Sequence, residues 1–138
     1  MKKIEFSKQN ISYSDRKVIS KIIESGWLTH GKYTKLFEKE ITKFTKSKYA
    51  ITVSSCTAGL HLSCLALDFK KGDEVIVPAM SHTATAHAVE YTGAKVVFSD
   101  VDSLTGNISL NEIIRKTTPK TKGIIVVHMT GTPCDISK

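Results

Sequence analysis

The sequence predicts an α/β protein built on a parallel sheet with helices on both faces. Two observations carry this. From Tyr49 onward, short β-rich segments alternate with helical ones in the order strand, helix, strand, helix, strand, helix, strand; right-handed crossovers wind such a chain into a parallel sheet. The strand segments are also continuous apolar runs, as strands buried on both faces require.

The elements follow in order. Residues 1–48 read as an N-terminal helical segment and residues 49–138 as the α/β portion. Ser14 is placed to cap a first helix, with Asp15 in its first turn, Val18, Ile19, Ile22 and Ile23 on its buried face and Gly26 just past its end. After the loop Trp27–Gly31, a second helix is predicted over 33–45. Lys32, Lys35, Lys39, Lys43 and Lys46 recur at three- and four-residue spacing and form one polar stripe, opposite Leu36, Phe37, Ile41 and Phe44. The first strand is predicted over 49–53, followed by Ser54-Ser55-Cys56-Thr57 and a helix over 58–67. A turn at Lys71-Gly72-Asp73 leads to a strand over 74–77, stopped by Pro78. Next come a helix over 83–91, a turn at Gly93, a strand over 95–98, a loop over 100–107, a helix over 110–116 and a fourth strand over 123–127 ending at His128. Thr132-Pro133-Cys134-Asp135 reads as a loop leading onward, so the sheet is expected to be incomplete.

Composition excludes several classes. With 41% hydrophobic and 24% charged residues in 138, the chain matches a globular domain with one core. No run of about 18 apolar residues is available to span a membrane. The basic start never opens into the apolar stretch of a secretory leader. Cys56, Cys64 and Cys134 make an odd count without C-x-x-C, which argues against a disulfide framework or zinc ribbon and makes a reduced, cytoplasmic protein the expectation. The net charge of +7 sits entirely in residues 1–50, with 12 basic and 5 acidic residues against 8 of each in the remainder. The lysine stripe accounts for it as a solvated helix face. With two arginines and no basic-aromatic strand motif, nucleic acid is set aside.

In open parallel sheets, ligands bind at the carboxyl ends of the strands. Ser54-Ser55-Cys56-Thr57-Ala58-Gly59 leads from a strand into a helix, where free N–H groups and hydroxyls suit an anion such as a phosphate. The same residues cap helices that bind nothing, so the turn alone leaves both readings open. Neither G-x-G-x-x-G nor G-x-x-x-x-G-K-[ST] occurs. His82, just past the second strand, could stack its ring on a flat ligand; as a sequence feature, a helix-capping histidine is the commoner case. His82 and His87 stand about 140° apart around a helix and cannot share a metal. His61 and His128 read as packing or supporting residues, and Asp100, Asp102, Thr105 and Asn107 as a loop held by Asx-turns.

Several blocks occur together and in order: Gly26-Trp27-Leu28-Thr29-x-Gly31, Leu36-Phe37-Glu38-x-x-Ile41, Tyr49-Ala50-Ile51-x-Val53-x-Ser55-Cys56-Thr57-Ala58-Gly59-Leu60-His61-Leu62, Gly72-Asp73-Glu74-Val75-Ile76-Val77-Pro78 and His82-x-Ala84-Thr85-Ala86-x-Ala88-Val89. In these the chain resembles the start of the DegT/StrS family of pyridoxal-phosphate sugar aminotransferases. The resemblance covers nearly the whole chain. It implies the N-terminal part of the large domain of the type I aminotransferase fold.

The resemblance also implies roles. Thr57 and Ala58 match the turn that grips the 5′-phosphate of pyridoxal phosphate, with Cys56 beside it where glycine is frequent. Gly59 stands where alanine is frequent. His82 matches the position whose ring stacks on the pyridine. Trp27, Thr29 and Gly31 match a loop near the substrate cleft. The implied reaction moves an amino group from an amino acid, with glutamate the expected donor, to a nucleotide-linked keto-sugar for polysaccharide or cell-surface sugar synthesis. The implied assembly is a homodimer. The family's Schiff-base lysine and its pyridine-pairing carboxylate match nothing in residues 1–138, so no catalytic residue is assigned here, and a truncated chain inactive alone is the expectation. The alternatives are a sugar dehydratase of the same family and a non-catalytic fragment or regulator.

Overall fold

Strand β1 (Glu74–Pro78) lies at the centre of a three-stranded parallel sheet, between β2 (Lys95–Ser99) and β3 (Thr121–Ile124). The computed structural model describes residues 4–5 and 7–137. The start read above as no secretory leader includes Met1–Lys3 and Phe6, which lie outside the described residues. The chain divides into two compact units, residues 1–52 and 53–138.

In the second unit, α3 (Cys56–Ala66) precedes β1, α4 (Ala84–Glu90) links β1 to β2, and α5 (Leu110–Lys116) links β2 to β3. All five residues of β1 are buried, and Val75, Ile76 and Val77 are inaccessible to solvent. That is why its sequence is apolar without alternation. Pro78, which has no N–H to offer a ladder, ends the strand. The core joins Cys64, Phe69, Val75, Val77, Ala88, Val89 and Ala94, with Leu60, Val96 and Ile125 packed against it. Alanines on α4 let that helix lie close to α3. Glycine is required at 123, where a Cβ would fall 2.5 Å from Cζ of Phe69. Ser109 caps α5 as its hydroxyl accepts from the Glu112 N–H.

The first unit holds α1 (Tyr13–Glu24) and α2 (Lys32–Thr45). The cap of α1 is Ser12, not Ser14. Its hydroxyl accepts from the Asp15 N–H while the Asp15 carboxylate accepts from the Ser12 N–H, a reciprocal capping box. These bonds hold the Asp15 carboxyl below the usual aspartate range. Gly26 closes α1 at φ +68°.

Three further expectations are corrected. The apolar face of α1 is not buried: Val18, Ile19 and Ile23 are all exposed, because no third layer covers the stripe among the described residues of this unit. Residues 49–53 form no strand. No ladder partner runs beside them among the described residues, and the Thr52 N–H instead donates to Glu38 Oε1 at 2.8 Å. The last strand lies at 121–124, displaced from the expected 123–127, because its pairing with Glu74–Ile76 sets its start. Among the described residues the sheet therefore has three strands, not four, and all its pairings are parallel as expected.

Candidate functional site

The carboxyl edge of the sheet gathers the loops after β1, β2 and β3, and the amino end of α3 lies on the same side. Helices α3 and α4 both run from that side to the amino edge, since each is followed by the start of a strand, at Glu74 and Lys95, and these two residues are paired. The His61 ring, five residues into α3, meets the Tyr91 ring at the end of α4 edge-on, 5.3 Å between centroids. Counting back from that contact at about 1.5 Å per residue brings the starts of the two helices to within a few ångströms of the same height.

Ser55 is the N-cap of α3. Its hydroxyl accepts from the Ala58 N–H at 3.1 Å, and its carbonyl accepts from the Gly59 N–H at 3.1 Å. The N–H groups of Cys56 and Thr57 and the Thr57 hydroxyl have no partner among the described residues. No acidic side chain stands in this first turn. Two free N–H groups, a hydroxyl and the positive end of an eleven-residue helix form a donor set that fits a phosphate. Of the residues assigned to the turn, Cys56 and Thr57 offer free donors, whereas Ala58 has its N–H engaged by Ser55. Gly59 provides no cradle: a Cβ there would lie 3.4 Å from Val53 Cγ2, an ordinary contact, so alanine fits equally.

His82 ends the loop after β1. Its Nδ1 accepts from the Ala84 N–H at 3.1 Å, so the capping role is realised and Nε2 carries the proton of the neutral ring. The bond also fixes the plane of the ring. The Ser81 and Thr85 hydroxyls, 2.8 Å apart, brace the same turn. His82 lines a small depression of about 280 Å³ with Pro78, Thr83, His87 and Phe98, and neither Cys56, Thr57 nor Ala58 shares it. Trp27 and Gly31 line a separate cleft of about 950 Å³ between α1 and α2, together with Lys21, Lys35 and Lys39; Thr29 lies outside its lining.

The remaining candidates are structural. Asp102 accepts from the N–H groups of Leu104 and Thr105 and from the Thr105 hydroxyl; the Thr105 N–H is the main cause that holds its carboxyl below the usual range. Asp100 accepts from the Val101 N–H at 2.8 Å. His128 Nδ1 accepts from the Cys134 N–H at 3.0 Å. Burial pushes the Cys64 thiol up. Among the described residues, no group of three or more His, Cys, Asp or Glu could hold a metal, and no helix is long and apolar enough to cross a membrane.

Two residues have roles that the sequence reading did not assign: Asn107, read there as part of an Asx-turn loop, and Glu38. Asn107 is buried and bonds to Met129 and Thr132, far along the chain. Glu38 gains a role from the Thr52 N–H, which holds its carboxyl below the usual range. No local pattern marks these side-chain bonds, because Met129, Thr132 and Thr52 all lie outside helical or turn spacing.

Comparison with known proteins bears on this arrangement. GDP-perosamine synthase of Escherichia coli O157:H7 is 37% identical over 139 aligned residues, which take in 100% of this chain and 38% of that protein. The X-ray structure of an aminotransferase from Psychrobacter cryohalolentis superposes with a TM-score of 0.89 at 38% identity, covering 96% of this chain and 34% of the other. The E. coli GDP-4-keto-6-deoxy-D-mannose-3-dehydratase with bound hydrated PLP gives 0.88 at 34% identity, over 95% of this chain and 35% of the other. The chain thus spans little more than a third of the length of these relatives. The model of the DegT/DnrJ/EryC1/StrS aminotransferase family matches residues 9–138, and the chain belongs to that family.

Proposed function

We propose that the protein is a pyridoxal-phosphate enzyme that transfers an amino group from an amino acid, glutamate by expectation, to a GDP-linked keto-sugar in polysaccharide or cell-surface sugar synthesis. It would work as a cytoplasmic homodimer. The observation that carries this reading is the amino end of α3, where two N–H groups and the Thr57 hydroxyl have no partner among the described residues and the first turn holds no acidic side chain. GDP-sugar relatives support the substrate class.

Thr57 and the N–H groups of Cys56 and Thr57 would hold the phosphate. A phosphate oxygen can also take the Ala58 N–H, in competition with the Ser55 hydroxyl that now accepts from it. His82 would lie along the ring, its plane fixed by its bond to the Ala84 N–H. Trp27, Thr29 and Gly31 would border the sugar nucleotide. When bound, pyridoxal phosphate supplies the electron sink that a carbanion beside nitrogen needs. Residues 1–138 hold and orient; the resemblance assigns the Schiff-base lysine and the carboxylate facing the pyridine to neither unit described here.

A second reading is a dehydratase of the same family, supported by the likeness to the E. coli enzyme, a TM-score of 0.88 at 34% identity. One experiment separates the two. The full-length protein is supplied with pyridoxal phosphate, glutamate and GDP-4-keto-6-deoxymannose, and the sugar product is analysed by mass spectrometry. An amino-sugar supports transamination, a deoxygenated keto-sugar the dehydratase, and unchanged substrate without cofactor uptake refutes both.

A further inference from the structure

Three loops leave the carboxyl edge of the sheet, and one buried side chain ties two of them together. Asn107 Oδ1 accepts from the Met129 N–H at 2.9 Å, and its Nδ2 donates to the Thr132 carbonyl at 3.1 Å. Its own N–H donates to the Thr105 hydroxyl, and its carbonyl accepts from the Asp102 N–H at 2.8 Å. Every polar group of the residue is engaged. Between the two side-chain bonds sits Thr130 at φ 50°, ψ 26°, followed by Gly131 at φ 85°. A β-branched residue rarely adopts this left-handed conformation, which persists where the surroundings over-determine it. The Asn107 amide, bonded on both sides of Thr130, supplies that constraint.

The clamp reaches the third loop through packing. Gly106 is held between Met80 and Met129 so closely that a Cβ would fall 2.7 Å from Met80 Cε and 3.1 Å from Met129 Cγ. Met80 stands two residues before His82, in the loop after β1.

We propose that Asn107 is a positioning residue for His82. Its amide fixes the turn from Met129 to Thr132, Met129 and Met80 close on Gly106, and the loop that delivers the His82 ring is set in place. An apolar side chain at 107 would leave the Met129 N–H and the Thr132 carbonyl unpaired and free the turn to relax. The inference rests on the proposed role of His82 against the cofactor ring.

The test is a double-mutant cycle on the pyridoxal-phosphate affinity of the full-length protein, using wild type, Asn107→Ala, His82→Ala and the double variant. In the wild-type background Asn107→Ala should raise Kd roughly tenfold, within the range for coupled neighbours, and should change the induced circular dichroism of the bound cofactor. With His82 already alanine, the same substitution should have little effect. Equal effects in both backgrounds, or no effect in either, overturn the proposal, since a residue acting only through stability would not couple to His82. Where Asn107→Ala fails to fold, Asn107→Asp runs the same cycle: it keeps the acceptor for Met129 and loses the donor to Thr132. A wild-type protein that takes up no pyridoxal phosphate removes the functional reading itself, and the inference with it, a failure distinct from additivity.

Discussion

The indole of Trp27 closes on Gly31, where a Cβ would fall 2.5 Å from Cδ1 and 3.1 Å from Nε1. Gly31 is the N-cap of α2 at φ −90°, so its backbone suits any residue, and the constraint comes from the ring alone. Gly31→Ala should displace the indole while the helix stays intact, at a stability cost below about 1 kcal/mol. Trp27 is the chain's single tryptophan, so its fluorescence reports the change directly. An unchanged emission spectrum would show that the ring does not rest on Gly31.

Thr57→Ala removes the free hydroxyl at the start of α3. Cofactor binding by the full-length protein should weaken by about 1.5–3 kcal/mol, the range for a hydrogen bond to a charged group. Thermal stability without cofactor should hardly move, because that hydroxyl has no partner among the described residues. Ser55→Ala should do the reverse, costing about 1 kcal/mol of stability as the cap is lost. Calorimetric titration and thermal melts separate the two.

The cap and the ring of His82 can be tested separately. His82→Phe keeps a flat ring but loses the acceptor for the Ala84 N–H, so cofactor affinity should survive while the melting temperature falls. His82→Asn keeps an acceptor and loses the ring, so the pattern should invert. If both variants bind the cofactor equally, stacking is not what the residue does.

Glu74 gives a pH dependence with a definite sign. Its carboxylate accepts from Lys95 Nζ at 2.9 Å and from the Thr118 hydroxyl at 2.7 Å, and these bonds, the Lys95 one foremost, hold it below the usual glutamate range. A carboxyl depressed in the folded state stabilises fully above its unfolded value of about 4.3 and loses that contribution as pH falls through the lower folded value. Melting temperature should therefore drop on acidification below about pH 4.3, and Glu74→Gln should flatten that part of the profile while lowering stability at neutral pH.

Much of this was legible locally. The lysine-striped helix, the helix over 110–116 and the Asx-turn at Asp102 are set by neighbours within a few residues, which sequence displays directly. What escaped depends on distant partners. Residues 49–53 have the composition of a strand, but a strand exists only beside another, and Thr52 gives its N–H to Glu38. The face of α1 is amphipathic as read, yet burial needs a covering layer. At the site, the Ser55–Thr57 turn was readable as the start of a helix, though the strand expected before it does not form. That the Ala58 N–H is already engaged was not, because Ser54, Ser55 and Thr57 all offer hydroxyls and only geometry selects among them. Asn107 was hidden for the same reason as Glu38.

The order of the sheet also sets a folding sequence. Glu74 pairs with Lys95 on one side and with Thr121 on the other, more than twice as far along the chain. Each doubling of a closed loop costs about 0.6 kcal/mol of chain entropy, so the β1–α4–β2 crossover is the cheaper nucleus and β3 is the strand that docks onto it afterwards. Conservative substitutions such as Val77→Ala and Val89→Ala should slow refolding, whereas Ile124→Val should chiefly speed unfolding. The irregular step between Glu74 and Val75 in the β3 pairing then falls in the ladder that closes after the β1–β2 one, where a mismatch does less harm to the rate at which these strands find their order.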